Sequence, residues 1–226
     1  MRPLTDTIPK ALIPAAGRPF LDHQLGWLAG HGVTEVVLCI GYRADAIRAH
    51  FDAGAGAHHG LSVRFVDEGD QLRGTAGALR LALDQGALHE SFLVTYGDSF
   101  LPVDFAAVFA AFGAAGKPAL MTVFRNDGRW DASNVIFDGR LVTLYDKQRR
   151  TRPVEEFRFI DYGLSALSRR VIADEVPPDG TADLAGLFNA LSLRGELAGF
   201  EVGQRFYEIG SPAGLEDFER WLNQRA

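Results

Sequence analysis

The sequence predicts an α/β protein, a Rossmann-like three-layer sandwich whose central sheet is mixed but mainly parallel. Three observations predict it. Up to Arg125, apolar segments of helical spacing alternate with short strand-like runs, the pattern that builds parallel sheets with helices on both faces. After Arg125 the rhythm changes to strand-like segments joined by turns, which adds antiparallel or edge strands. A chain of 226 residues with 47% hydrophobic and 23% charged side chains is also sufficient for one large core.

The elements follow in order. Residues MRPLTDTIPK carry Pro3 and Pro9 around Thr5, Asp6 and Thr7, and read as an ordered loop ending at Lys10. From Pro19 to Gly32 the residues Phe20, Leu21, Leu25, Trp27 and Leu28 recur at helical spacing, with Pro19 suited to a first turn and Gly30 and Gly32 to a stop. Thr34 to Gly41 (TEVVLCIG) follows as a buried strand, Arg43 to Phe51 as a short helix and Leu61 to Val66 as an alternating strand. Thr75 to Leu83 is predicted helical, Ser91 to Tyr96 extended, Phe105 to Phe112 helical and Ala119 to Phe124 extended. Beyond these, Asn134 to Phe137, Leu141 to Tyr145 and Phe157 to Leu167 are strand-like. Helices from Asp183 to Leu193 and from Ala213 to Leu222 complete the chain, the last with Leu215, Phe218, Trp221 and Leu222 on one face. No repeat, long linker or low-complexity tract interrupts, so residues 1–226 are expected to form a single domain.

Composition narrows the partners. A net charge of −6 and a pI near 5.5 provide no global cationic field for nucleic acid or an anionic membrane, so an anionic ligand would be small and held locally. The lone Cys39 lies in the apolar run VVLCIG, excludes an intrachain disulfide, and is expected as a buried structural thiol in a reducing compartment. No apolar stretch approaches the ~20 residues that cross a bilayer, and the basic-then-apolar layout of a secretory leader is missing, so a cytoplasmic protein is expected. The six histidines show no metal-ligand spacing, and His58 and His59 sit in a glycine-rich loop.

Five places could carry chemistry. Gly74, Thr75, Ala76 and Gly77 stand at a predicted helix start, where small residues let backbone amides approach a ligand, or where Thr75 simply caps the helix. Asp98 follows the apolar strand SFLVTY through Gly97, at the carboxyl end where open α/β sheets bind ligands. It is either a turn residue or a Mg²⁺ ligand, since that ion needs few protein carboxylates and takes its other oxygens from phosphates and water. Glu208 follows an aromatic pair, just before Ser211 and Pro212 open the last helix, and reads as a second ligand or a surface glutamate. Lys10 and the pair Asp146, Lys147 are either solvated surface groups or clamps on phosphate charge.

In order along the chain, RPLTDTIPKAL, DEGDQLRGTAGAL, GDS, YDK and EIGSP resemble the motifs of the sugar nucleotidylyltransferases, or nucleoside-diphosphate-sugar pyrophosphorylases. The resemblance spans nearly the whole chain and implies the nucleotide-diphospho-sugar transferase type of fold, in a short form without a C-terminal β-helix domain. In this family the opening motif follows an apolar strand and a glycine-rich turn ending in arginine. Met1 stands where a leucine or methionine follows that turn, so the expectation is that the natural product is longer and that Met1 is internal to it. The resemblance assigns Gly74, Thr75, Ala76 and Gly77 to the base and ribose, Lys10 to the triphosphate, Lys147 to the sugar phosphate and Asp98 to Mg²⁺. Glu208 departs from the family's aspartate by one methylene and would complete the metal site. Asp146 would orient Lys147 or touch the sugar. By residue type, sugar hydroxyls would fall to the second-half candidates Asn134, Asp161, Tyr162 and Gly163, and Arg129, Trp130 and Asp131 are either a lid edge or surface packing. Residues 1–125 would then bind nucleotide and 126–226 the sugar.

The implied reaction joins a nucleoside triphosphate to a sugar 1-phosphate, with heptose or N-acetylmuramic acid phosphates as the suggested acceptors. Base, sugar and oligomeric state stay open. Two other readings are a non-catalytic binding module of the same fold and a glycosyltransferase using nucleotide sugars. Against the latter, Asp98 is followed by Ser99 and Phe100 rather than by an Asp-any-Asp triplet.

Overall fold

The structure is a computed structural model and describes residues 8–54, 59–127, 129 and 132–225. After a 3-10 turn at Lys10–Leu12, the chain forms β1 (Pro14–Ala15), β2 (Arg18–Pro19), α1 (Phe20–Gly30), β3 (Glu35–Ile40), α2 (Ala44–Asp52) and β4 (Ser62–Asp67). Then come α3 (Gly74–Asp84), β5 (Ser91–Thr95), β6 (Ser99–Phe100), α4 (Phe105–Ala115), β7 (Ala119–Arg125), β8 (Val135–Phe137) and β9 (Val142–Tyr145). β10 (Phe159–Ser168), α5 (Arg169–Glu175), α6 (Leu184–Leu193), β11 (Leu197–Val202), β12 (Tyr207–Glu208) and α7 (Pro212–Asn223) complete it. Every helix and strand expected from periodicity is present, with ends moved by a few residues. Among the described residues no helix is long and apolar enough to cross a membrane.

The chain forms two compact units. The first takes Met1–Leu72, Tyr96–Phe100 and Phe206–Ala226. Its β3 and β4 pair in parallel from Glu35↔Ser62 to Ile40↔Asp67. Val36, Leu38 and Ile40 turn one face of β3 onto Leu21, Leu25, Ile47 and Phe51 of the flanking helices. A second cluster gathers Phe20, Phe100, Ile209, Phe218 and Trp221, with Phe20 and Phe218 at 0% exposure, so each such ring contributes about 1.5–3 kcal/mol by leaving water. This cluster ties the last helix to the β6–β12 pair. Ser211 caps α7 by accepting from the Gly214 N–H at 3.1 Å, and Pro212 occupies the first helical turn, where its missing donor costs nothing.

Cys39 corrects an expectation. It is exposed, because it shares the Glu35 and Val37 face of β3, opposite the face that Val36, Leu38 and Ile40 pack. Partial burial of the sulfur, followed by the Glu68 carboxylate, pushes the thiol up to about 11. Thiolate is the reactive form, so Cys39 should react with an aromatic disulfide reagent at pH 8 on the order of 100-fold more slowly than free cysteine. A rate equal to that of the free amino acid would contradict this environment.

The second unit takes Arg73–Thr95 and Leu101–Arg205. Its six-stranded sheet has the order β11–β7–β10–β8–β9, with β5 also on β10. The sheet is mixed. β7 and β11 are parallel, whereas β10 runs against β5, β7 and β8, so parallel pairing is a smaller share than the helix-strand alternation suggests. β11 and α5 were not expected, since Gly199 and Glu201 break the apolar run that would mark LAGFEV as a strand. Gly199 is there because the Phe137 ring lies against it, where a Cβ would overlap the ring. The core of this unit sets Met121, Val123, Val135 and Leu167 of the sheet against Leu79, Ile172, Leu184, Phe188 and Leu191 of the helices.

Candidate active site

Asp98 lies on a turn of the first unit that leads from β5 to β6. Gln24, on α1 and only 8% exposed, holds that turn through its Nε2 donor, which reaches the Tyr96 carbonyl at 3.0 Å and the Ser99 carbonyl at 2.7 Å. On the other side the Ile209 N–H donates to the Asp98 carbonyl at 3.0 Å, and Glu208 pairs with Ser99 in the antiparallel register of β12 on β6. The two acids therefore come from remote stretches of the chain onto neighbouring hydrogen-bonded backbone. Lys10, 88 residues from Asp98 in sequence, joins them: its Nζ is 3.3 Å from Asp98 Oδ2.

This arrangement fits a divalent cation. The Asp98 carboxylate is one-third exposed and already faces a positive charge, the Lys10 ammonium, which stands in for one. Among the described residues no group of three or more His, Cys, Asp or Glu side chains gathers in a metal-binding cluster. An ion that keeps waters and substrate phosphates requires few protein carboxylates, and Asp98 and Glu208 stand on neighbouring backbone. Behind Glu208, Gly214 packs so closely that an added Cβ would overlap the Glu208 carbonyl oxygen.

Gln24 and Gly214 escaped sequence reasoning. The only trace of Gln24 is an amide within the apolar stripe of α1, and Gly214 looks like any residue of a helix start.

In the second unit the Gly74 to Gly77 segment opens α3 with the amides of Thr75, Ala76 and Gly77 already used. Ala76 N–H and Gly77 N–H donate to the Ala182 carbonyl at 2.9 and 3.0 Å, and Thr75 N–H to Asp183 Oδ1 at 3.2 Å. In return Thr75 Oγ1 accepts from Leu184 N–H at 2.8 Å, so the starts of α3 and α6 cap one another. The amide cradle expected here is corrected for Thr75, Ala76 and Gly77, whose donors are spent on the Ala182 carbonyl and the Asp183 side chain. Gly74 has φ +73°, and a Cβ would stand 2.6 Å from the Ala182 oxygen, so glycine is required.

Asp146 is buried at the end of β9, where both carboxylate oxygens are taken. Oδ1 accepts from Gln148 and Arg149 N–H, and Oδ2 from Arg150 N–H, Thr151 N–H and the Thr151 hydroxyl, at 2.7–3.0 Å. Burial disfavours its charge, yet the Thr151 hydroxyl and these amides outweigh that and hold the carboxyl below the ordinary range. These bonds fix residues 148–151, which follow Lys147.

Asp161, Tyr162 and Gly163 fall where the β10–β7 register shifts, and Gly163 has φ +97°. Asn134 Oδ1 accepts from Asp161 N–H at 3.1 Å, and Asp161 Oδ1 from Gly163 N–H at 3.0 Å. Tyr162 is a correction. Its side chain is 1% exposed, inside the unit, because it alternates with Asp161 across the sheet. Arg129 bonds Asn126 through its backbone, while Trp130 and Asp131, like His58, lie outside the described residues.

Burial pushes the Asp161 carboxyl up to about 6, against the Gly163 N–H and the Lys147 charge, which both favour ionisation. A carboxyl with a higher pKa folded than unfolded binds its proton more tightly in the folded state. Its contribution is complete below about 4 and is lost as pH rises through 6. Wild type should therefore lose stability relative to Asp161→Asn between pH 4 and pH 7 in urea titrations. A difference between the two proteins that stays constant over that range would exclude the raised carboxyl.

With the geometry in view, comparison with known proteins is decisive. The description MobA-like NTP transferase domain applies to the family model that matches residues 4–176. The chain belongs to this family. MobA-like NTP transferase relatives include a glucose-1-phosphate cytidylyltransferase of Salmonella typhimurium, 27% identical over 212 residues that cover 85% of this chain and 79% of the relative. A mannose-1-phosphate guanyltransferase of Schizosaccharomyces pombe is 28% identical over 218 residues, covering 94% of this chain and 58% of the relative. Among solved structures, HddC of Yersinia pseudotuberculosis superposes with a TM-score of 0.77 at 21% identity, covering 95% of this chain and 90% of that one. The inositol-1-phosphate CTP transferase of T. maritima has a TM-score of 0.77 at 19% identity, over 99% of this chain and 90% of that one. These structures share the nucleotide-diphospho-sugar transferase fold, and the expected fold class and family are both borne out.

Proposed function

We propose that the chain transfers a nucleotidyl group from a nucleoside triphosphate to a sugar 1-phosphate, giving a nucleoside-diphosphate sugar and pyrophosphate. The observation that carries this reading is the Lys10–Asp98 ion pair, with Glu208 on the strand that neighbours Asp98, in a chain whose relatives are named for that reaction. A phosphate oxygen of the sugar 1-phosphate attacks the α-phosphorus in line. The new P–O bond forms as the α–β bridging P–O bond breaks, and its electrons leave with pyrophosphate. No covalent enzyme intermediate is required, so positioning and charge neutralisation account for the rate.

Asp98 and Glu208 hold Mg²⁺, which when bound neutralises phosphate charge and aligns the triphosphate. Lys10 donates to the triphosphate. Lys147, on the loop that Asp146 orders, donates to the sugar phosphate, and residues Gly74, Thr75, Ala76 and Gly77 border the nucleoside with their small side chains. Asn134 donates through its amide to a sugar hydroxyl, Asp161 accepts from another, and Gly163 leaves room for the ring. Residues 1–226 act as one nucleotidyltransferase in the cytoplasm. Heptose 1-phosphate and N-acetylmuramic acid 1-phosphate are the first acceptors to try.

The test is pyrophosphate release measured over a panel of triphosphates and sugar 1-phosphates with Mg²⁺. One productive pair is expected. No pyrophosphate from any pair would favour a binding module, and turnover of a nucleotide sugar instead would favour a glycosyltransferase.

A further inference from the structure

The Lys10–Asp98 ion pair leaves the ammonium half exposed and the carboxylate one-third exposed, at 3.3 Å. We propose that Lys10 is a built-in counter-cation that competes with free divalent cation for Asp98 and passes to the phosphates when a cation–triphosphate complex arrives. This rests on the assignment of Asp98 as the metal ligand. Both ends of the pair have fixed bases. Lys10 opens a 3-10 turn closed by Leu12 N–H to the Pro9 carbonyl and Ile13 N–H to the Lys10 carbonyl, and the adjoining Ile13 is fully buried. Asp98 stands on the turn that Gln24 and Ile209 hold from two sides.

Only the lysine stem is free to swing. An ammonium and a divalent ion cannot both sit against one carboxylate oxygen without like-charge repulsion, so one excludes the other. Because the pair is exposed its own worth is small, which makes the lysine displaceable rather than blocking. The triphosphate supplies the second acceptor that Lys10 needs in order to leave. Cation entry and triphosphate entry become linked, and the site resists filling with cation alone.

Mn²⁺ titration of the full chain, with the free ion read by electron paramagnetic resonance, tests this. Lys10→Met should bind Mn²⁺ about three- to tenfold more tightly than wild type. Lys10→Gln, which loses the charge but keeps a polar end, should do the same, and Lys117→Met should match wild type. Asp98→Asn should abolish binding. With inorganic tripolyphosphate present the order should reverse, the Lys10 variants then binding the complex less tightly than wild type. Unchanged or weaker Mn²⁺ affinity in both Lys10 variants, with Asp98→Asn still inactive in binding, overturns the counter-cation and leaves the ligand assignment standing. Undiminished Mn²⁺ binding by Asp98→Asn overturns the assignment itself.

Discussion

Asp146→Ala should lower the free energy of unfolding by about 2–4 kcal/mol, although the residue lies beside an exposed loop. The carboxylate accepts from five donors, four of them the backbone amides of residues 148–151, of which only Arg149 N–H also reaches the Asp146 carbonyl. Alanine leaves those amides to find water one by one, and the loop loses the hub that sets its path. Asp146→Asn keeps the shape, but its NH2 is a donor set against two or three of these donors and its remaining bonds lose their charge assistance, so it should lose about as much as alanine. The pH dependence has a definite sign. A carboxyl held below its unfolded value contributes fully above about pH 4, and that contribution is lost as pH falls through the folded value. The gap between wild type and Asp146→Ala in urea midpoints should therefore narrow in acid. Under the proposed function the same variant should raise KM for sugar phosphate more than for triphosphate, since Lys147 begins the freed loop. Equal stability of the alanine variant and wild type at pH 7 would show that solvent replaces the carboxylate without loss.

Gly214→Ala should be nearly as costly, about 2–4 kcal/mol, in a helix where alanine is normally the better residue. The added Cβ meets the Glu208 carbonyl oxygen, a backbone atom that cannot rotate away. Either α7 or β12 has to move. Movement of α7 loosens Phe218 and Trp221 in their aromatic cluster, and movement of β12 shifts Glu208 away from Asp98. Under the proposed function, Mn²⁺ affinity should fall with stability for that reason. Gly113, in α4, has open space around it, so Gly113→Ala should stabilise by about 0.5–1 kcal/mol. Opposite signs for the same substitution would separate steric obstruction from helix propensity. A neutral Gly214→Ala would mean that α7 docks with more slack than the close approach allows.

Much of the candidate site was legible in the sequence as residue types in order. Asp98 after an apolar strand follows from local pattern, whereas Glu208 before Ser211 and Pro212 and Lys10 after a proline-bounded loop stand out from surface residues only through the family resemblance. The contact of Lys10 with Asp98 follows from neither. The Lys10–Asp98 bond joins residues 88 apart, and the Thr75–Asp183 bond residues 108 apart, and neither leaves a mark on the local sequence. For the same reason nothing local tells that Ala182 and Asp183 occupy the amides of Thr75, Ala76 and Gly77. Tyr162 seemed available to a sugar although its strand turns it inward.

The helices and longer strands other than α5 and β11 were determined by the sequence alone, because apolar spacing of about 3.6 or 2 residues is a local property, readable wherever one face must leave water. The placement of β10 against three strands, the lysine on Asp98, the five donors on Asp146 and the glycine beneath Glu208 were decided only by the tertiary structure. Those choices are made by packing and hydrogen-bond satisfaction among remote segments, where each group takes whichever partner the fold brings within about 3 Å.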